Sequence, residues 1–151
     1  MVATIMVARE PPSPTLARPV TPARQAERKF MSEVLLVEDS SSQREMIAGI
    51  LKERGWKVTV ACDGVEALEK IQKANFDLVV LDIVMPRMNG YEVCRRIKSD
   101  PNTKHVPVIM CSSKGEEFDR YWGMRQGADA YIAKPFQPVE LLGTIKQLLR
   151  G

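Results

Sequence analysis

Leu78-Val79-Val80-Leu81-Asp82-Ile83-Val84-Met85-Pro86-Arg87-Met88-Asn89-Gly90 begins with four apolar residues and then breaks into a carboxylate and a turn. A strand that is apolar on both faces needs cover on both faces, which is the setting of a parallel sheet packed between helices. The same pattern repeats on either side of it. Val34 to Val37 is an apolar run closed by Glu38-Asp39, and Lys57 to Ala61 is rich in β-branched residues. Val106 to Cys111 and Asp129 to Ala133 supply two more strands.

Helical spacing fills the gaps. Met46, Ile47, Ile50 and Leu51 follow a capping-box pattern at Ser42-Gln43-Arg44-Glu45, and Gly55 ends that helix. Asp63-Gly64-Val65-Glu66 opens a second helix carrying Val65, Leu68 and Ile71, and a third carries Val93, Cys94 and Ile97. A fourth spans Glu116–Gln126 and stops at Gly127; a fifth runs from Pro138 through Leu141, Leu142, Ile145, Leu148 and Leu149. Strands and helices that alternate in this way, joined by right-handed crossovers, make a doubly wound α/β sandwich.

A chain of 151 residues with 44% hydrophobic and 27% charged residues has the size and balance of one globular domain. The net charge of +3 lies entirely in residues 1–30, since residues 31–151 hold 17 basic and 17 acidic groups. A neutral domain lacks the basic surface that nucleic-acid binding requires, so no nucleic-acid partner is expected. Residues 1–30 contain five of the ten prolines and no period of 2 or 3.6, so residues 1–31 are read as a disordered or extended tail and residues 32–151 as the folded domain. Met31 offers an alternative translation start. No apolar run is long enough to span a membrane, and the first eight residues lack the basic region of a secretory signal. Cys62, Cys94 and Cys111, widely spaced and odd in number, are expected to be reduced, buried thiols in a cytoplasmic protein. His105 precedes Pro107 in a loop and is expected to be exposed.

The functional signal lies at the strand ends. Glu38 and Asp39 follow the first strand, Asp82 ends the third, Ser112-Ser113 end the fourth and Lys134-Pro135 the fifth. Ligands of such sheets bind beyond the carboxyl ends of the strands. Three converging carboxylates repel one another and call for positive charge, either a hard divalent cation such as Mg²⁺ or the Lys134 ammonium. A metal and a lysine around one carboxylate meet the demands of phosphoryl transfer, and the Ser112 hydroxyl could bond a phosphoryl oxygen.

Leu35-Leu36-Val37-Glu38-Asp39-Ser40, the stretch 78–90, Val106-Pro107-Val108-Ile109-Met110-Cys111-Ser112-Ser113 and Gly127-Ala128-Asp129-Ala130-Tyr131-Ile132-Ala133-Lys134-Pro135-Phe136 together resemble a response-regulator receiver domain of the chemotaxis-regulator type. The resemblance covers residues 32–151. It implies a flavodoxin-like, five-stranded parallel sheet in order 2-1-3-4-5 with five helices. It further implies that Asp82 is the phosphoacceptor and that Glu38, Asp39, Asp82 and the backbone carbonyl of Val84 hold Mg²⁺. Ser112 matches the switch hydroxyl, Tyr131 the aromatic that moves with it, and Lys134 the phosphate-contacting lysine, with the Lys134–Pro135 bond cis. The segment Tyr121-Trp122-Gly123-Met124-Arg125-Gln126-Gly127-Ala128 is similar to regulators of type IV pilus twitching motility; Phe118 and Trp122, at i and i+4, read alternatively as packing against the sheet.

The function so implied is a switch. A sensor histidine kinase or phosphotransfer protein phosphorylates Asp82, and the face of the fourth helix, fifth strand and fifth helix changes its affinity for a target. No output domain is expected after the fifth helix, so the message is expected to pass by protein binding or by competition for phosphoryl groups. Glu38 stands where many members have Asp, and Ser112 where Thr is commoner. Val84 offers no polar group to an attacking water and Lys114 could lean over the phosphoryl group, so slow self-dephosphorylation is expected. Two other readings compete. An aspartate-nucleophile phosphatase resembles Asp-x-Asp, which Asp82-Ile83-Val84 lacks. A receiver-like interaction module that is never phosphorylated would not need the intact acceptor, acid pair, hydroxyl and lysine.

Overall fold

The computed structural model describes residues 5–7, 32–113 and 117–150. Its elements in chain order are β1 (Ile5–Val7), β2 (Glu33–Val37), α1 (Ser41–Glu53), β3 (Lys57–Ala61), α2 (Gly64–Lys73), β4 (Leu78–Leu81), α3 (Gly90–Ser99), β5 (Val108–Ser112), α4 (Glu117–Arg125), β6 (Ala130–Ala133) and α5 (Pro138–Arg150). The sheet order is β1-β6-β5-β4-β2-β3. Strands β2 to β6 are parallel and reproduce the expected 2-1-3-4-5 arrangement.

Parity along the strands divides the core in two. Leu35, Val37, Val79, Leu81, Val108, Met110 and Tyr131 face α2, α3 and α4 through Ala67, Ile71, Val93 and Ile97. Val34, Leu36, Leu78, Val80, Ile109 and Ile132 face α1 and α5 through Ile47, Leu51, Leu141 and Ile145. Fully burying each large side chain is worth about 1.5–3 kcal/mol, so the two layers hold the sheet rigid beneath its polar end.

Four expectations are corrected. Ile5–Val7 is not unstructured tail: it pairs antiparallel with β6, because an apolar triplet with two β-branched residues meets an open apolar strand edge. The remaining residues of 1–31, with Lys114, Gly115 and Glu116, lie outside the described residues. The first helix is capped by Ser40, whose hydroxyl accepts from the Gln43 amide, two residues ahead of the expected box. Phe118 and Trp122 do not pack against the sheet; they are 72% and 45% exposed. Gly123 faces inward instead, where a Cβ would lie 2.9 Å from Met110 Sδ and 3.1 Å from the Tyr131 ring. Cys62 is exposed, while Cys94 and Cys111 are buried, and burial pushes both of those thiols up to about 12. His105 is exposed, as expected.

Candidate functional site

The sheet's hydrogen bonding continues one residue past the strands and fixes the backbone of the polar residues there. Glu38 donates its amide to the Ala61 carbonyl, Asp82 to Val37 and Lys134 to Ser112. Glu38, Asp39 and Asp82 are thereby brought together, each offering a carboxylate oxygen within 4.8 Å of the others. The Lys134–Pro135 bond is cis. Lys134 Nζ lies 2.5 Å from Glu38 Oε1 and 3.7 Å from Asp82 Oδ1. Glu38 is only 2% exposed, so its longer stem reaches across the sheet to the lysine rather than outward. Asp39 is exposed.

These groups line a cleft of about 540 Å³ together with Gln43, Val84, Ser113 and Phe136. Burial pushes the Asp82 carboxyl up to about 6; the Lys134 ammonium pulls it down and the Glu38 carboxylate pushes it further up. A hard cation suits such a set, since all three side-chain donors are oxygens and their charge exceeds that of Lys134. The donor set fits Mg²⁺.

Ser112 and Tyr131 are both fully buried and share a hydrogen bond. Burial raises the Tyr131 hydroxyl far above its usual range, with the nearby Tyr91 adding to the effect. It is Ser113, not Ser112, that lines the cleft in this conformation. Val84 is 54% exposed at the cleft wall.

Two supporting residues escaped the sequence reading. Arg44 donates to the carbonyls of Glu38 (2.9 Å) and Asp39 (3.4 Å), holding the acidic loop from α1. Gly90 lets the loop after β4 fold onto the acceptor strand: a Cβ there would lie 2.3 Å from the Asp82 carbonyl oxygen. The loop is tied down by the Gly90 amide to Ile83, and by Arg87, at φ 68°, paired with Asp63 at 2.9 Å. Hydrogen bonding from the Glu66 amide, and then Arg87, holds the Asp63 carboxyl below its usual range.

The model of the response regulator receiver domain matches residues 34–146. The chain belongs to that family. It is 42% identical over 114 residues to PilG of Pseudomonas aeruginosa, covering 76% of this chain and 84% of PilG. It spans about half the length of other curated relatives that it matches, such as the mycobacterial sensory transduction protein RegX3, 38% identical over 80% of this chain and 52% of that one. Among solved structures, chemotaxis protein CheY4 of Vibrio cholerae superposes with a TM-score of 0.74 at 36% identity, over 78% of this chain and 98% of that one. The receiver domain of sensor histidine kinase PA1611 from Pseudomonas aeruginosa has a TM-score of 0.75 at 29% identity, over 80% and 98% of the two chains, and holds a magnesium ion in its active-site cleft. The flavodoxin-like receiver fold, with its mostly parallel sheet and five helices, is therefore shared with chemotaxis-type regulators. Among the described residues no helix is long and apolar enough to cross a membrane.

Proposed function

We propose that this protein is a phosphorylation-driven switch of a two-component system, in which Asp82 accepts a phosphoryl group from a phosphohistidine of a sensor kinase or phosphotransfer protein. The observation that carries this reading is the convergence of Glu38, Asp39 and Asp82 within 4.8 Å, with Lys134 3.7 Å from the acceptor. Glu38, Asp39, Asp82 and the Val84 carbonyl would hold Mg²⁺, which, when bound, neutralises the carboxylates and the phosphoryl oxygens. An Asp82 carboxylate oxygen attacks phosphorus and the phosphohistidine nitrogen leaves. Lys134 is near enough to turn from Glu38 toward the arriving phosphoryl oxygens. Ser112 reaches that charge only by leaving its buried bond with Tyr131, and that exchange would carry the signal to the α4–β6–α5 face and its target. The likeness to PilG, to chemotaxis protein CheY4, and of Tyr121–Ala128 to twitching-motility regulators supports a place in motility or taxis, acting in the cytoplasm. The folded unit is taken as residues 32–151, with Ile5–Val7 added at its sheet edge.

Intact mass after incubation with acetyl phosphate tests the reading. A single phosphoryl adduct is expected with Mg²⁺, absent with chelator and absent in Asp82→Asn. If wild type forms no adduct and binds no beryllofluoride, the protein is a phosphorylation-independent interaction module. The phosphoryl group should be lost slowly, because the exposed Val84 side chain has no polar atom to orient water. Val84→Asn should hasten loss by about tenfold, and an unchanged rate refutes that role.

A further inference from the structure

The two edges of the sheet are protected in different ways. At the β3 edge Lys57 and Thr59 alternate with Val58 and Val60, and Lys57 pairs with Glu33. A charged, half-polar edge discourages strand addition. The opposite edge, Ala130-Tyr131-Ile132-Ala133, has no charged residue and no proline, and Ala130, Tyr131 and Ile132 are fully buried. Such an edge invites another strand, and β1 supplies one, with Ile5 opposite Ile132, Met6 opposite Tyr131 and Val7 opposite Ala130. The half-buried Met6 side chain packs against the same core layer that contains Tyr131.

We propose that the β6 edge is a strand-addition site for an extended apolar segment, and that the chain's own Ile5–Val7 is its displaceable occupant. The occupant binds by the physics of β-augmentation: main-chain hydrogen bonds for affinity, and one apolar side chain opposite Tyr131 for register. Only three residue pairs hold it, so its attachment is weak per molecule. Tethering makes up the difference by raising its local concentration. A tether of roughly two dozen residues is long enough to bridge the four strand spacings, about 19 Å, that separate β1 from β2. A partner presenting an extended segment with an apolar residue opposite Tyr131 competes with Ile5–Val7 for the same edge, which lies on the α4–β6–α5 face.

Amide hydrogen exchange on the full chain tests this without any phosphoryl donor, so the result stands whether or not Asp82 is a phosphoacceptor. Met6→Asp places a charge against the apolar layer, and Met6→Pro removes the backbone donor that faces Tyr131 by a different route. Either is expected to speed exchange of the β6 amides that face β1 by about tenfold or more, while β4 amides stay protected and report an intact sheet. A synthetic peptide of residues 1–10 should restore protection in Met6→Asp and bind wild type markedly more weakly, because there the site is filled. Equal β6 exchange in wild type and both variants overturns the proposal, as does a peptide that binds neither protein. Protection that rises with protein concentration, together with a dimer mass by light scattering, would assign the strand to a neighbouring copy and overturn its role as the chain's own cover.

Discussion

Carboxylates gather at both ends of the parallel sheet, and the two ends use them differently. At the amino ends, Asp77 accepts the Glu33 amide at 2.8 Å, and Asp129 accepts the Val108 amide and the Lys98 ammonium, each at 2.8 Å. Strand starts present unpaired N–H groups, so an aspartate there is satisfied by backbone. At the carboxyl ends the strands present carbonyls, which repel carboxylates. Glu38, Asp39 and Asp82 face one another, with Lys134 as the cation among them. The clefts at the two ends are alike in size, about 520 and 540 Å³, so volume does not distinguish them. Unsatisfied charge does: the carboxylates at one end are met by backbone amides and Lys98, while those at the other face one another around a single lysine.

Each end has a glycine that measures how tightly its parts are held. Gly90→Ala drives a Cβ to 2.3 Å from the Asp82 carbonyl oxygen and 2.8 Å from Ile83 Cα, both backbone atoms that cannot give way. We expect a loss of about 4 kcal/mol, lowering Tm by roughly 10–15 °C. Gly127→Ala, next to the start of β6, meets only the Lys98 stem at 2.9 Å but sits at φ +101°. Its cost should be about 1–2 kcal/mol, from backbone strain alone. Thermal melts compare the two, and equal losses would remove the distinction in rigidity.

Removing the lysine at each end probes charge directly. Lys134→Ala leaves Glu38 buried beside Asp82 with no cation, an arrangement that costs about 3 kcal/mol without metal. Mg²⁺ should recover much of that loss. Lys98→Ala leaves Asp129 with its Val108 amide and more exposure, so about 1 kcal/mol is expected and Mg²⁺ should not change it. Urea melts with chelator and with Mg²⁺ give all four values. If Mg²⁺ stabilises both variants equally, the acidic cluster is not its site.

The sequence exposed whatever is written in a run. Apolar stretches such as Leu78–Leu81 and Val34–Val37 announce buried parallel strands, and the polar residue that ends each stretch names the site. What depended on distant parts of the chain stayed hidden. The three residues of β1 carry no period of their own and become a strand only against an edge more than a hundred positions away. Lys134 reads as a cation among the acidic strand ends, but that it lies closer to Glu38, 96 positions away, than to Asp82 follows only from the fold. In α4 the pattern Phe118/Trp122 suggested an inward face. The sheet instead needed the smallest residue there, because the Tyr131 ring had taken the space. Arg44 has no role in the sequence beyond its place in the expected capping box, and only the folded loop brings the carbonyls of Glu38 and Asp39 onto it.

The last effect sharpens the comparison most, because it reads the charge on one carboxylate. Burial, opposed by Lys134 and reinforced by Glu38, lifts Asp82 from 3.8 to about 6 in the folded, metal-free protein. Between those values the native state holds a proton that the unfolded state has released. Stability contributed by this group therefore falls as pH rises from 4 to 6 and is flat above. The accumulated penalty at neutral pH is about 3 kcal/mol. Asp82→Asn removes it, so the variant should melt higher than wild type at pH 7.5 in chelator, and the advantage should shrink toward zero near pH 4. Saturating Mg²⁺ relieves the same penalty in wild type and should narrow the gap at pH 7.5. A variant less stable than wild type at pH 7.5, or a gap that does not change with pH, would mean that Asp82 carries no unmet charge and that the two ends of the sheet are electrostatically alike.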